Sequence, residues 1–387
     1  MKALCRVLAC LAVLAAPAAA YTVAPMAGVH EAMTRAAKLC LDEALSRRQK
    51  PARCRPEPVG EDVAVDLEWV RNPELPPWDI AGWLRHWTGK APRYPDLAEA
   101  SRWPDDPTRQ LGLVNAIRFT WHMVSACDLL LGTGERNDID DGLLCNSHVG
   151  DMQFMHAQAG AVGEPAAETR EKIGQWAEFL FLVASGRLPR RELDTPYCRY
   201  FAGSSAFHRA MRPHARVLPC GGRDRRPWTV ATLFNFVCQD PFTGSGCKDL
   251  AGPRRFAMAR LNATGALLHL VQDAYAQSHV ERGHCERRDG EVVAKVECAP
   301  IVRFTTYRGQ QGHAAGDAWP RIAASCRATA AVDDPVTASA KVLWHIRRKS
   351  PPAEFRRDLA RVFGAPEAAM RLPVASHGQC LMPEEGR

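Results

Sequence analysis

Beyond its first twenty residues the 387-residue chain has no uninterrupted apolar run near the roughly 20 residues needed to cross a bilayer, which argues against a membrane span. It also lacks a GxSxG nucleophile elbow, a GxxxxGK phosphate loop, a GxGxxG fingerprint and an HExxH helix. Those absences count against serine hydrolases, nucleotide-driven enzymes, dinucleotide-binding folds and familiar zinc proteases. Repeats and low-complexity segments are missing, so solenoids and disordered arrays are excluded. Strand-like alternation is scarce, with 291–296 the best short candidate, and the fold class expected is mainly α. No long basic block exists within a net charge of +7, so charge alone nominates no polyanion.

What is present begins with a leader. Lys2 and Arg6 precede an apolar run from Val7 to Ala16, and Pro17-Ala18-Ala19-Ala20 suits cleavage before Tyr21. Residues 1–20 are therefore expected to be a signal peptide, and 21–387 a single helical domain in a secreted or periplasmic protein. Of 14 cysteines, Cys5 and Cys10 would leave with the leader, and the even remainder suits disulfides in an oxidising compartment. Cys40 with Cys54, Cys127 with Cys145, Cys238 with Cys247 and Cys285 with Cys298 are the neighbouring pairs.

Helical periodicity predicts helices over 29–46, 108–131 and 168–185, and a long central one from Pro253 to Gly283. Residues 47–100, rich in proline and tryptophan, and 190–250 read as irregular insertions, the former a candidate lid. The tryptophans there read more readily as packing than as a base-stacking platform.

The most informative segment is LLHLVQDAYAQSHVER, residues 267–282, with His269, Asp273 and His279 at relative positions 0, 4 and 10. On a continuous helix these occupy one arc of about 120°. Two imidazoles and a carboxylate form a ligand set suited to zinc. His313 and Asp317 add an i, i+4 pair able to reach one ion.

Together, HxxxDxxxxxH, a later HxxxD, an upstream Trp-x-Asp segment and a histidine near a signal-cleaved amino terminus resemble the zinc-dependent phospholipase C and S1/P1 nuclease superfamily. The resemblance implies a multi-helix bundle holding up to three Zn2+ ions. It implies that His269 and Asp273 join an upstream aspartate and a histidine, His122, on one zinc. It places His279, His313 and Asp317 on a second. Asp273 would bridge to a third, shared with His30 and the amino group and carbonyl of Tyr21, where the family usually has tryptophan. Trp103-Pro104-Asp105-Asp106-Pro107-Thr108-Arg109 resembles the family's Trp-Ala-Asp-x-x-Arg with one extra residue, so one register selects Asp105 and the other, slightly preferred, Asp106. Either would be the catalytic carboxylate that orients water, and Arg109 the phosphate contact. His148, Asp151 and His156 form a reserve cluster, with His148 able to replace His122 beside Asp138, Asp140 or Asp141.

Plainer readings stand beside these. His30 and Glu31 could open a surface helix, Asp106 could cap a helix before Pro107, and His313 with Asp317 could be a solvated pair. The function expected is phosphodiester hydrolysis by metal-activated water, on single-stranded nucleic acid or a phospholipid head group, with no stable protein partner implied. The alternative is a secreted, disulfide-rich helical binding or scaffold protein with incomplete metal sites.

Overall fold

The computed structural model describes residues 28–55, 57–60, 63, 65, 67, 96–105, 143, 146–217, 229–238, 247–249, 253–282, 286–288, 291–293, 301–307 and 333–364. The expected helix over 108–131 lies outside them, as do most of the 47–100 excursion and the cysteine pairs Cys127–Cys145 and Cys285–Cys298.

Helix α1, Val29–Ser46, has the bounds its periodicity predicts and buries Met33, Ala37 and Leu41. His30 and Glu31 are buried too, so this first turn does not lie on the surface. Cys40 near its end is bonded to Cys54. The short α2, Leu97–Ala100, is capped by Asp96, whose carboxylate accepts from the Glu99 amide at 2.9 Å. A run of turns then carries the chain through Asp105.

Helix α3, Ala166–Ala184, comes within two residues of its predicted bounds. Within the segment expected to be irregular, α4 (Arg190–Leu193), α5 (Tyr197–Tyr200) and the twelve-residue α6 (Ala206–Val217) are helical. Ser205 starts α6 by accepting from the His208 amide, a capping signal hidden among the surrounding breakers. A 3-10 turn, Ala231–Phe234, leads to a hairpin of β1 (Phe236–Cys238) and β2 (Cys247–Asp249), whose register sets Cys238 opposite Cys247. Cys198 is disulfide-bonded as well.

Helix α7, Pro253–Asp273, starts at the predicted proline but stops ten residues before Gly283. Its last turns tighten, with Tyr275 N donating to Gln272 O and Ala276 N to Asp273 O, and the chain then enters β3, Val280–Arg282. The break has no glycine or proline to announce it. Tertiary anchoring accompanies it: the Tyr275 hydroxyl donates to Asp333 O at 2.5 Å, and the Arg282 guanidinium donates to Ala274 O at 2.8 Å.

Strand β4 (Glu286–Arg288) pairs with β5 (Glu291–Val293), where the alternation predicted a strand, and β6 (Ile301–Phe304) pairs with β3. Two further helices follow, α8 (Pro335–Arg348) and α9 (Pro352–Phe363). Asp334 caps α8 through the Thr337 amide with Pro335 in the first turn.

The result is mainly α. Helix α7 lies at the centre, packed against α1, α2, α3 and α8, while α8 also covers α1. Ala263, Ala266, Leu267, Leu270 and Val271 of α7 are buried, as befits a helix with neighbours all round. Trp103 is one of the predicted packing tryptophans: it is buried against Trp176 and Phe234. No described helix is long and apolar enough to cross a membrane.

Candidate metal centre

The interior face of α7 carries His269 and Asp273, one turn apart, with His269 Nε2 3.0 Å from Asp273 Oδ2. Around this pair converge His30 from α1, Asp105 from the turns after α2, His148 and His156 from a loop and 3-10 turn, and His279 from beyond the end of α7. All seven side chains are buried.

His279 does not arrive along a helical arc. A continuous helix would set it about 9 Å along the axis from Asp273, at roughly 1.5 Å per residue. Ending α7 at Asp273 lets the chain fold back, so that His279 Nδ1 lies 3.5 Å from Asp273 Oδ2. The segment after β6 holds this return in place: Thr305 N donates to His279 O at 2.9 Å and Ala159 N donates to Thr305 O at 2.8 Å.

Gly265 controls the approach of Asp105. A Cβ there would lie 2.1 Å from Ala100 O and 2.6 Å from Ser101 N, so only glycine lets the turn settle onto α7. Ser101 O then lies 2.8 Å from His269 Nδ1. Arg102 Nε reaches Glu31 at 3.5 Å and ties the same turn to α1.

Three imidazoles share one arrangement. A carbonyl oxygen only accepts, so His269 Nδ1 donates to Ser101 O, His279 Nδ1 to His156 O at 2.5 Å, and His30 Nδ1 to Gln272 Oε1 at 2.7 Å. Gln272 is itself fixed, since its amide nitrogen donates to Thr34 Oγ1 at 3.0 Å. Each ring thereby keeps Nε2 as its ligand nitrogen, the second-layer pattern that orients histidines on metals. His148 is aligned by Ser147 Oγ at 3.0 Å from Nδ1, with Tyr307 edge-on at 5.6 Å.

The electrostatics fit a cation site. Burial by itself raises the Asp105 pKa, but His269, His148, His156 and His30 prevail and hold it well below the usual carboxylate range. Asp273 is held low in the same way, by His269 and His279 against its burial. Burial lowers an imidazole, yet Asp273 and Asp105 push His269 up to about 9. Burial, reinforced by His148, brings His156 down to about 3 despite Asp273. Ionised, buried carboxylates facing imidazole nitrogens can hold a metal ion, and ligand atoms of His30–Asp105–His269, Asp105–His148–His156 and His156–His269–Asp273 lie within 4.8 Å of one another in each group.

Among the sequence expectations, His30, Asp105, His269, Asp273 and His279 meet in this centre. Of the two candidate aspartates, Asp105 sits in the cluster. Asp106, Arg109, His122, His313, Asp317, Tyr21, Asp138, Asp140 and Asp141 lie outside the described residues. From the reserve cluster, His148 and His156 both join, whereas Asp151 is exposed on the turn between them. Gly265, Gln272 and Thr34 had no sequence signal beyond their proximity to His269, Asp273 and His30. No family model matches the chain, and neither a curated protein nor a solved structure matches it.

Proposed function

We propose that the chain is an exported zinc-dependent hydrolase of phosphate esters, a phosphodiesterase of nuclease-like or phospholipase C-like type built on the phospholipase C/P1 nuclease bundle. The observation that carries the reading is the buried convergence of five histidines and two aspartates, among which neither Asp105 oxygen has a hydrogen-bond partner in the described structure. Ionic oxygens buried in this way are costly unless a cation meets them. Mixed imidazole and carboxylate donors suit zinc better than calcium or magnesium, which favour all-oxygen shells. The Cys40–Cys54 disulfide is compatible with an extracellular protein.

Bound zinc supplies a water acidified towards neutrality and positive charge against the phosphate oxygens. The chain's own residues supply the rest. His30, Asp105, His148, His156, His269, Asp273 and His279 would share up to three zinc ions among them, and Ser101, Gln272 and the His156 carbonyl keep imidazole lone pairs aimed inwards. Asp105, which among the described residues faces only imidazole nitrogens of the cluster, would also be the carboxylate that orients a water. Burial keeps this charge in a low-dielectric setting where it acts strongly. Arg109, four residues beyond Asp105, is proposed as the phosphate contact.

Zinc analysis of the purified protein tests the reading, together with hydrolysis of bis(p-nitrophenyl) phosphate, single-stranded DNA, RNA and phosphatidylcholine. Zinc-dependent cleavage abolished by chelation and by His269→Ala is expected, and the preferred substrate selects the branch. A protein free of zinc with no chelator-sensitive activity would instead be the helical scaffold.

A further inference from the structure

Resting on the zinc reading above, we infer that Arg282 is a positioning residue of the metal centre: its guanidinium closes the return that carries His279 and ties it to the end of helix α9. The residue is a cation where a strand calls for an apolar side chain. Burial alternates along β3, with Val280 and Arg282 inward and Glu281 half-buried, where it pairs with Arg303 at 3.2 Å. Valine at 282 would fill the inward position without desolvating a charge. A guanidinium only 4% exposed must instead find acceptors for its donors.

Those acceptors lie at two helix ends. Nε donates to Ala274 O at 2.8 Å, the carbonyl that follows the last residue of α7, and Nη2 donates to Val362 O at 2.6 Å, in the last turn of α9. Carbonyls at a helix C-terminus lack an intrahelical donor and carry the negative end of the helix dipole, so one planar cation serves both termini at once. The guanidinium also lies over the Tyr275 ring at 4.3 Å, and the Tyr275 hydroxyl donates to Asp333 O. One side chain thereby touches the first two residues of the return and joins them to a helix that supplies no residue to the centre.

The consequence for the metal falls on His279. Residues 274–282 form a loop closed by the Ala274 carbonyl and the Arg282 side chain, and His279 lies inside it, with Nδ1 3.5 Å from Asp273 Oδ2. The loop has no proline or glycine to impose its course, so tertiary bonds define it: Thr305 at the His279 carbonyl and Arg282 at Ala274. Without the Arg282 bond the loop is released at its base while Asp273 stays fixed in α7. His279 then loses its register against the carboxylate.

A double-mutant cycle on the zinc affinity of the full-length protein, read by chelator competition, tests the link without reference to activity. Arg282→Met keeps a buried stem and removes the donors, and zinc should bind roughly tenfold or more weakly, the scale on which outer-shell partners act. In a His279→Ala background the same substitution should cause no further loss, because the residue through which it acts is gone. Arg170→Met is the matched control. Its guanidinium donates to Ile301 O at 3.1 Å and lies over the Phe304 ring at 5.7 Å, on the strand paired with β3 rather than on the return. That variant should lower the urea midpoint and bind zinc as the wild type does. Losses that add in the double variant, Arg282→Met affinity equal to that of the wild type, or an equal loss in Arg170→Met overturns the inference and leaves the zinc reading standing. Wild-type protein that binds no zinc overturns that reading, and the inference with it. If Arg282→Met does not fold, Arg282→Lys runs the same cycle, since its ammonium keeps the charge but cannot span both carbonyls.

Discussion

Replacing Gly265 by alanine should damage the metal centre from a position that touches no ligand. The added Cβ would lie 2.1 Å from Ala100 O, 2.2 Å from Ala100 C and 2.6 Å from Ser101 N, against an ordinary contact of at least 3.4 Å. All three are backbone atoms, so no rotamer relieves the clash and the turn must retreat from α7 by more than an ångström. That retreat breaks the 2.8 Å bond from His269 Nδ1 to Ser101 O and draws Asp105 away with the turn. Overpacking of this kind costs about 1–3 kcal/mol, which exceeds the gain of roughly 0.5–1 kcal/mol from replacing glycine within a helix. Loss of the carbonyl behind a metal-binding imidazole lowers metal affinity by about 10–100-fold. Gly174 in α3 is the control, because a Cβ there meets nothing within 4 Å. Urea midpoints and zinc affinity by chelator competition should therefore separate the two variants. Gly265→Ala loses stability and affinity, whereas Gly174→Ala gains a little stability and binds zinc as the wild type does. A Gly265→Ala protein as stable as Gly174→Ala and equally tight for zinc would refute the close approach.

Gln272→Leu leaves the His30 Nδ1–H without its acceptor, and zinc affinity should fall by about 10–100-fold with the fold retained; unchanged affinity would show that Gln272 does not orient the ring. Metal-free protein should be most stable to urea near pH 6.5. The raised His269 contributes stability present in full below 6.5 and lost as pH climbs through about 9, while the lowered His156 contributes stability present above 6.5 and lost as pH drops towards 3. The depressed Asp105 and Asp273 add stability above 3.8 that disappears at lower pH, so urea midpoints that rise steadily from pH 6.5 to 9 would contradict the assignment. Replacing Cys40 and Cys54 by serine opens a loop with a sequence separation of 14 and should cost about 3 kcal/mol in a denaturant titration, leaving zinc content unchanged; an unaltered midpoint would be the contrary result.

The parts of the molecule legible from sequence are those encoded locally. Apolar spacing gave α1 its bounds and α3 nearly so, and Pro253 marked the start of α7. The Asp334-Pro335 pair that opens α8 is a local signal of the same kind, a capping carboxylate followed by a first-turn proline. The end of α7 was hidden because residues 274–278 contain no breaker, and the turn there is anchored by Asp333, 58 residues away from Tyr275. In the site, the one-turn spacing of His269 and Asp273 is readable, but His279 reaches the centre because the helix ends, and not along the helical arc that the spacing predicts. His148 and His156 are legible as a reserve cluster, but His156 sits on a 3-10 turn, so neither a helical nor a strand period applies to tell that both join the centre while Asp151 does not. Asp105 and Asp106 were inseparable by motif, since an extra residue shifted the two registers apart. The contact between Gly265 and Ala100 is set by tertiary packing, which no local pattern reports.

The longest of the bonds orienting the cluster, from His30 to Gln272, spans 242 positions of sequence. Before folding, the donors are strewn along the polypeptide and chelate poorly, so nearly all the affinity belongs to the native conformation. On the zinc reading proposed above, the metal would act as a mass-action ballast, adding about RT ln(1 + [Zn]/Kd) to the folding equilibrium. Chains kept short of that metal should then persist longer in open, protease-sensitive forms, and metal supply would govern how much protein accumulates.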